Sequence, residues 1–395
     1  MRRFVPASEL EAPKTGLANG SLSVLFVFAA LGAFLSSGCR TGQLVESPVS
    51  AGDTSGNPGG NQVQRQGPFY WGTNAILYSA QDVNLIGSLG KPGKVGARVT
   101  FYWSDIEPLG GTWQFGVYDG LVKRAASGQI PLLGILAYAM KRVASAAADI
   151  QGDPWAISYC PPDQVEDFAT FAGTLAARYP AVLYWEIWNE PNTTYFWRPS
   201  PDPARYVELL KRSYAAIKAV NPKAVVVLGG LSPGMGTGPV NPMSAASFLE
   251  AVYQNGGKNY FDAVGFHPYK DGVSPDLYLA DYVQSVHDVM TQYDDGNKQV
   301  WVTEIGWYVG TGGNAVSEAE QADYLLRAFT ILYNLEFVER VYWYNLKDYP
   351  YQTPANQPAP TVCGPLPGGP PVDYGLFRLD GSPRPAADAF KKAVQ

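Results

Sequence analysis

The chain has 395 residues, 46% of them hydrophobic and 16% charged, which is enough apolar material for a large buried core and excludes disorder as its main state. Its 29 basic and 35 acidic residues leave a net charge of -6 with no dense basic run, so a surface that tracks nucleic-acid phosphates is excluded and a neutral partner fits better. Two histidines and three cysteines, at spacings that match no zinc motif, call for neither a metal nor another cofactor.

Arg2, Arg3 and Lys14 precede an apolar run over 22–35, too short to span a bilayer and suited to the hydrophobic part of a signal peptide. The run ends in Leu35-Ser36-Ser37-Gly38-Cys39, which resembles the lipobox of bacterial lipoproteins, with Leu35 four places before the cysteine instead of three. Residues 1–38 are therefore expected to be a lipoprotein-type signal peptide and Cys39 the lipid anchor. Ordinary signal cleavage and a start codon placed too far upstream are the alternatives. Residues 39–67 are rich in Gly, Ser, Pro, Asn and Gln, the composition of a flexible linker. Export to a membrane-tethered or secreted position follows. With Cys39 acylated, Cys160 and Cys363 are the pair left for a disulfide.

From residue 68 to 395 short apolar runs alternate with longer stretches of helical period, the pattern of βα units around a parallel sheet. Strands are expected at 69–75, 97–103, 131–137, 182–188, 224–229, 261–266, 299–303 and 338–345. Helices are expected among others at 163–179, 276–293 and 318–335, with Pro201-Asp202-Pro203 and Ser317-Glu318 as start signals. Eight strands close a barrel, and no Gly-rich dinucleotide or phosphate loop argues for an open sheet. The fold class is α/β, a single (β/α)8 TIM barrel.

Barrel active sites form where strands end. The fourth strand ends in Trp188-Asn189-Glu190-Pro191-Asn192, with Pro191 expected to stop the ladder. The seventh ends in Thr303-Glu304-Ile305-Gly306-Trp307, with Gly306 expected to provide a bend. Two carboxylates about 5–5.5 Å apart across a sugar ring are what a retaining glycosidase needs, and the aromatic content of 13% suits the flat C–H faces of sugars.

These paired segments resemble the catalytic pair of the clan A retaining glycoside hydrolases, with family 39 and related bacterial endoglycosidases looking nearest. The resemblance runs from about residue 69 to 392. It implies that Glu190 is the general acid/base and Glu304 the nucleophile, that Arg98 supports the nucleophile, and that Phe266-His267-Pro268-Tyr269 lines the catalytic subsite. It also places Tyr344 where a sugar-stacking Trp is usual.

On chemical grounds the acid needs a raised pKa while the nucleophile stays ionised. Arg98, His267 and Tyr269 are expected to hold Glu304 charged, and Asn189 to hydrogen-bond the sugar 2-OH. Arg98 also has a bland reading, a core ion pair with Glu186, and His267 another, a satisfied core histidine. Trp197, Trp307 and Tyr344 are candidates for stacking on sugar or for plain packing. Asp105, Glu107, Asp271 and Asp348 have no assigned role. The expected activity is double-displacement hydrolysis of β-glycosidic bonds in an extracellular or cell-surface polysaccharide by a monomer that meets membrane only through its lipid. A transglycosylase using the same intermediate and a non-catalytic carbohydrate-binding lipoprotein are the alternatives.

Overall fold

The computed structural model describes residues 67–108, 111–139, 159–234, 243–348 and 373–395, all within the compact unit 61–395. In chain order these form β1 (Tyr70–Asn74), α1 (Ala80–Leu89), β2 (Val95–Tyr102), α2 (Trp103–Ile106), α3 (Gly116–Ser127), β3 (Leu132–Ala137), α4 (Val165–Arg178) and β4 (Tyr184–Ile187). There follow α5 (Pro203–Val220), β5 (Val225–Leu231), α6 (Ala245–Gln254), β6 (Ala263–Phe266), α7 (Leu279–Gln292), β7 (Gln299–Ile305), α8 (Glu318–Asn334), β8 (Val338–Trp343) and α9 (Pro385–Val394). All eight strands run parallel in sequence order, and β8 returns to β1 through Tyr70 beside Arg340 and Thr73 beside Trp343, closing the barrel. The expected (β/α)8 architecture is the one observed.

Local chemistry sets the helix starts. Asp202 caps α5 by accepting from the Arg205 amide, with Pro203 in the first turn, where a missing N–H costs nothing. Ser317 and Glu320 satisfy each other's backbone amides at the start of α8. The helix expected at 276–293 begins later, at Leu279, because a 3-10 turn over Pro275–Leu277 ends in Tyr278 with φ of -156°. His287 of α7 stacks on Phe337 at 3.9 Å and bonds the Gly296 carbonyl.

Apolar side chains sort onto two sides of the sheet. Leu133, Val227, Ala263, Trp301 and Tyr342 pack inside the barrel, while Val226, Leu228, Val300, Val302 and Ile305 belong to the larger core under the helices. This is the period-2 alternation of strands covered on both faces. Small residues make room for large ones inside: a Cβ on Gly72 would lie 2.4 Å from the ring of Tyr342.

The strand register shifts at three places, between Val300 and Trp301, between Val302 and Ile305, and between Leu228 and Leu231, and the last two face the site. In β7 the register shifts between Val302 and Ile305, so two successive residues, Thr303 and Glu304, both turn inward. In β5 it shifts between Leu228 and Leu231, around Gly229 and Gly230. Irregularities of this kind re-aim side chains beside active sites.

Three sequence expectations change here. The ladder of β4 ends at Ile187, well before Pro191, because Trp188 and Glu190 adopt positive φ of 70° and 42°. These values carry a backbone cost for residues with side chains. Glu304 lies within β7 instead of just beyond it. Gly306 serves close approach more than bending, since a Cβ there would meet the Tyr344 carbonyl at 2.3 Å. Cys160 is buried. Cys39 and Cys363 lie outside the described residues, and so does most of the loop length after β3 and after β8, so the lipid anchor and the disulfide have no structural counterpart to compare.

Candidate active site

The site is built around Arg98, which β2 carries into the barrel interior at 2% exposure. Its Nε donates to Glu186 Oε2 at 2.7 Å and its Nη2 to Glu186 Oε1 at 3.2 Å. Nη1 donates to Asn74 Oδ1 at 2.8 Å and to Glu304 Oε1. Nη2 also reaches Asn189 Oδ1 at 3.0 Å. The core ion pair with Glu186 and the support of Glu304 are therefore both present, held by one planar fork that no other side chain could replace geometrically. Burying a guanidinium beside two acids keeps it protonated: Glu186 and Glu304 hold it charged against the desolvation that opposes charge.

Glu304 receives a second donor, the Tyr269 hydroxyl, at 3.1 Å. Burial still pushes its carboxyl up from the ordinary value, with Arg98 and Tyr269 pulling it back down and Glu186 pushing it up. The expectation that His267 helps hold Glu304 charged is corrected. His267 Nδ1 lies 3.9 Å from Glu304 Oε2 but 2.9 Å from Glu190 Oε1, and its bond goes to Glu190. Its ring, 0% exposed, is kept neutral by burial and by the nearby Arg98, against the pull of the Glu190 hydrogen bond and of the Glu190 and Glu186 charges.

These two distances bound the separation of the acids. Glu190 Oε1 and Glu304 Oε2 are no further apart than the sum of 2.9 and 3.9 Å, about 7 Å. That ceiling lies at the lower edge of the roughly 6.5–9.5 Å spacing of inverting glycosidases and is compatible with the roughly 5–5.5 Å of retaining ones.

Both acids open into a cavity of about 160 Å³ whose lining includes Asn74, Tyr78, Arg98, Tyr102, Tyr138, Asn189, Glu190, Phe196, Glu304 and Tyr344. Asn189 accepts from Arg98 through Oδ1, which leaves its amide NH2 to donate to a ligand. Tyr344, at the end of β8, is on the cavity wall and meets the ring of Tyr374 edge-on at 5.5 Å. Trp197 and Trp307 are not on the wall. Trp197 is 1% exposed and packs edge-on against Trp188 and Tyr206. Trp307, equally buried, donates its indole N–H to the Val273 carbonyl and leans on Trp343. Both are packing residues, because neither ring has a face open to a sugar.

Other residues of the site escape a sequence reading. Tyr78, Tyr102, Tyr138 and Phe196 supply aromatic wall. Tyr138 and Phe196 lie nearly parallel, 11° apart with centroids at 5.8 Å. Their signal, an aromatic next to a strand end, is too common in this chain to single them out. Glu186 and Thr303, both 0% exposed, join Arg98 and His267 beneath the acids. Asn74 anchors the floor by donating to the Thr303 and Trp343 carbonyls. Of the loop acids, Glu107 accepts from the Trp103 indole and Asp271 from the Tyr374 hydroxyl. Asp105 accepts from Tyr118, and Asp348 pairs with Arg384 ahead of α9. Among the described residues no three His, Cys, Asp or Glu side chains gather as metal ligands.

Residues 165–359 match the family model described as glycosyl hydrolase catalytic core. No curated protein matches the chain by sequence. Among solved structures, a family 39 glycoside hydrolase from Bacteroides cellulosilyticus WH2 is similar at 25% identity and a TM-score of 0.60, over 83% of this chain and 63% of that one. The family 39 enzyme of Xanthomonas axonopodis pv. citri matches at 18% identity and a TM-score of 0.60, over 82% and 65%. A monomeric β-xylosidase from Caulobacter crescentus CB15 matches at 18% and 0.60, over 83% and 69%. The chain thus spans under two thirds of the length of the first two. Residues 165–359 thus match a glycosyl hydrolase catalytic core, and the barrel that holds them is similar to those of family 39 glycoside hydrolases.

Proposed function

We propose that the protein is a retaining glycoside hydrolase that cleaves β-glycosidic bonds of an extracellular or cell-surface polysaccharide by double displacement. The observation that carries this reading is the pairing of Glu190 and Glu304 around one histidine nitrogen, at 2.9 and 3.9 Å, at the mouth of one aromatic-walled cavity. Their surroundings differ as their tasks require. Glu304 is gripped by Arg98 and Tyr269, donors that favour its ionised form and aim it as a nucleophile at the anomeric carbon. Glu190 makes no ion pair with Arg98 and bonds the imidazole of His267 instead.

In the first step Glu190 gives its proton to the leaving oxygen while Glu304 bonds to carbon, and the electron pair of the broken C–O bond stays with the leaving group. In the second step Glu190 takes a proton from water, whose oxygen displaces Glu304. Asn189 donates to the sugar as positive charge develops on the ring. Apart from Arg98, which is engaged by Glu186 and Glu304, and the two acids themselves, the described lining residues are uncharged and largely aromatic, and this favours an uncharged sugar. The N-terminal segment supports a tethered position outside the cytoplasm, with Cys39 as the acylated residue.

Purified protein with Glu190→Ala and Glu304→Ala variants tests the assignment against a panel of extracellular β-glycans. Glu304→Ala is expected to fall to background and Glu190→Ala by about 10²–10⁴-fold. Hydrolysis that survives both changes would refute the proposal.

A further inference from the structure

Beneath the two acids lies a chain of buried hydrogen bonds whose proton directions follow from counting donors. Glu186 accepts from Arg98 Nε at 2.7 Å, from Arg98 Nη2 at 3.2 Å, from the Gly230 amide at 2.7 Å and from the Thr303 hydroxyl at 3.1 Å. The Arg98 guanidinium pairs with both Glu186 oxygens and holds the group as a carboxylate, which has no proton to return. Thr303 has one hydroxyl proton, and Glu186 takes it. Thr303 Oγ1 also lies 3.0 Å from His267 Nε2, where it has only lone pairs to offer, so Nε2 carries the hydrogen.

His267 is wholly buried. The charged groups that face it are Arg98 from β2, Glu186 and Glu190 from β4 and its end, and Glu304 from β7; Tyr269 lies beside it, with ring centroids 6.4 Å apart. Burial and Arg98 disfavour its cation, and a neutral imidazole with hydrogen on Nε2 has a bare Nδ1. That bare nitrogen is 2.9 Å from Glu190 Oε1. A hydrogen bond there needs its proton from the carboxyl side.

We infer that Glu186, Thr303 and His267 are positioning residues that fix the acidic proton on Glu190 Oε1 in the resting protein. The inference rests on the hydrolase reading for its purpose, and on the hydrogen-bond chain alone for its content. Once the proton has gone to the leaving oxygen, the carboxylate faces a nitrogen lone pair. Recovering a proton, from water in the second step, restores the bond. The chain is built closely: a Cβ on Gly230 would lie 2.1 Å from His267 Nε2 and 2.7 Å from Thr303 Oγ1, so only glycine leaves room for this contact.

The test is nitrogen-15 NMR of histidine-labelled protein, where two ring systems are present and His287→Gln identifies the other. His267 is expected as the Nε2–H tautomer at neutral pH. A proton on Nδ1, or an imidazolium, overturns the inference whether or not the protein hydrolyses glycans. Thr303→Val keeps the volume and removes the hydroxyl. It is expected to lose the single tautomer and to slow substrates with poor leaving groups about tenfold or more, because acid catalysis matters most there. Aryl glycosides with good leaving groups should fall far less, and Thr303→Ser should recover both readouts. An unchanged tautomer in Thr303→Val, or equal loss on both substrate types, contradicts the relay. If wild-type protein hydrolyses nothing, the hydrolase reading fails and the tautomer alone still decides the hydrogen-bond chain.

Discussion

Tyr269 shows how one hydroxyl sets the working range of a carboxylate. Its bond to Glu304 favours the ionised form, opposing the burial that pushes this group up. A nucleophile must be ionised, so activity is lost as pH falls through its pKa. The acidic limb of kcat/KM, which reports the free protein, is therefore expected above that of an exposed carboxylate. Tyr269→Phe removes a stabiliser of the charge and should move that limb to higher pH. A limb that stays put or moves down would show that Tyr269 does not act on Glu304. The two acids were legible in the sequence because each sits in a specific segment near a strand end. Glu186 and Thr303 were not, because a buried acid and a strand threonine acquire meaning only through partners 88 and 117 residues away. The roles of Trp197 and Trp307 stayed open for a related reason: sequence shows an aromatic ring but not whether Trp188 or Trp343 already covers it.

The irregular strands do the aiming. Strict alternation would put Thr303 and Glu304 on opposite faces of β7, and the register shift between Val302 and Ile305 puts both inside. Pattern reading assumes a uniform period, which is why it placed Glu304 past the strand and gave Gly306 the work of turning the chain. In β5 the glycines have a comparable role: a Cβ on Gly229 would meet the Ile187 carbonyl at 2.5 Å, and one on Gly230 would meet His267. Gly230→Ala is expected to cost about 1–3 kcal/mol of stability through overpacking, read by urea denaturation, and to reduce turnover by displacing the imidazole. Wild-type stability and turnover in that variant would mean the contact relaxes freely and that β5 does not set the position of His267.

At the scale of the molecule, closure of β8 on β1 brings residues of β2, β4, β6 and β7 to one pocket although more than 200 positions separate Arg98 from Glu304. Eight successive strand signals alternating with helical stretches made this architecture readable, since a parallel barrel repeats one simple pattern eight times. The cavity walls are less readable, because long loops follow no period. Arg384 ties the segment after the barrel to it through Asp348 and Glu318. We propose in addition that Cys39 anchors the whole chain to a membrane. Radiolabelled palmitate fed to cells expressing the full chain should be incorporated, and Cys39→Ser should abolish the label and release the protein from membranes. Equal labelling of both would refute the anchor.

The central claim is that Glu190 and Glu304 act across one sugar ring through a covalent intermediate. Proton NMR of the first product formed from a β-linked glycan, recorded before the anomers equilibrate, tests it most directly. Double displacement gives the β-anomer first, and this signal is expected to vanish in Glu304→Ala. A product that appears first as the α-anomer would contradict the claim.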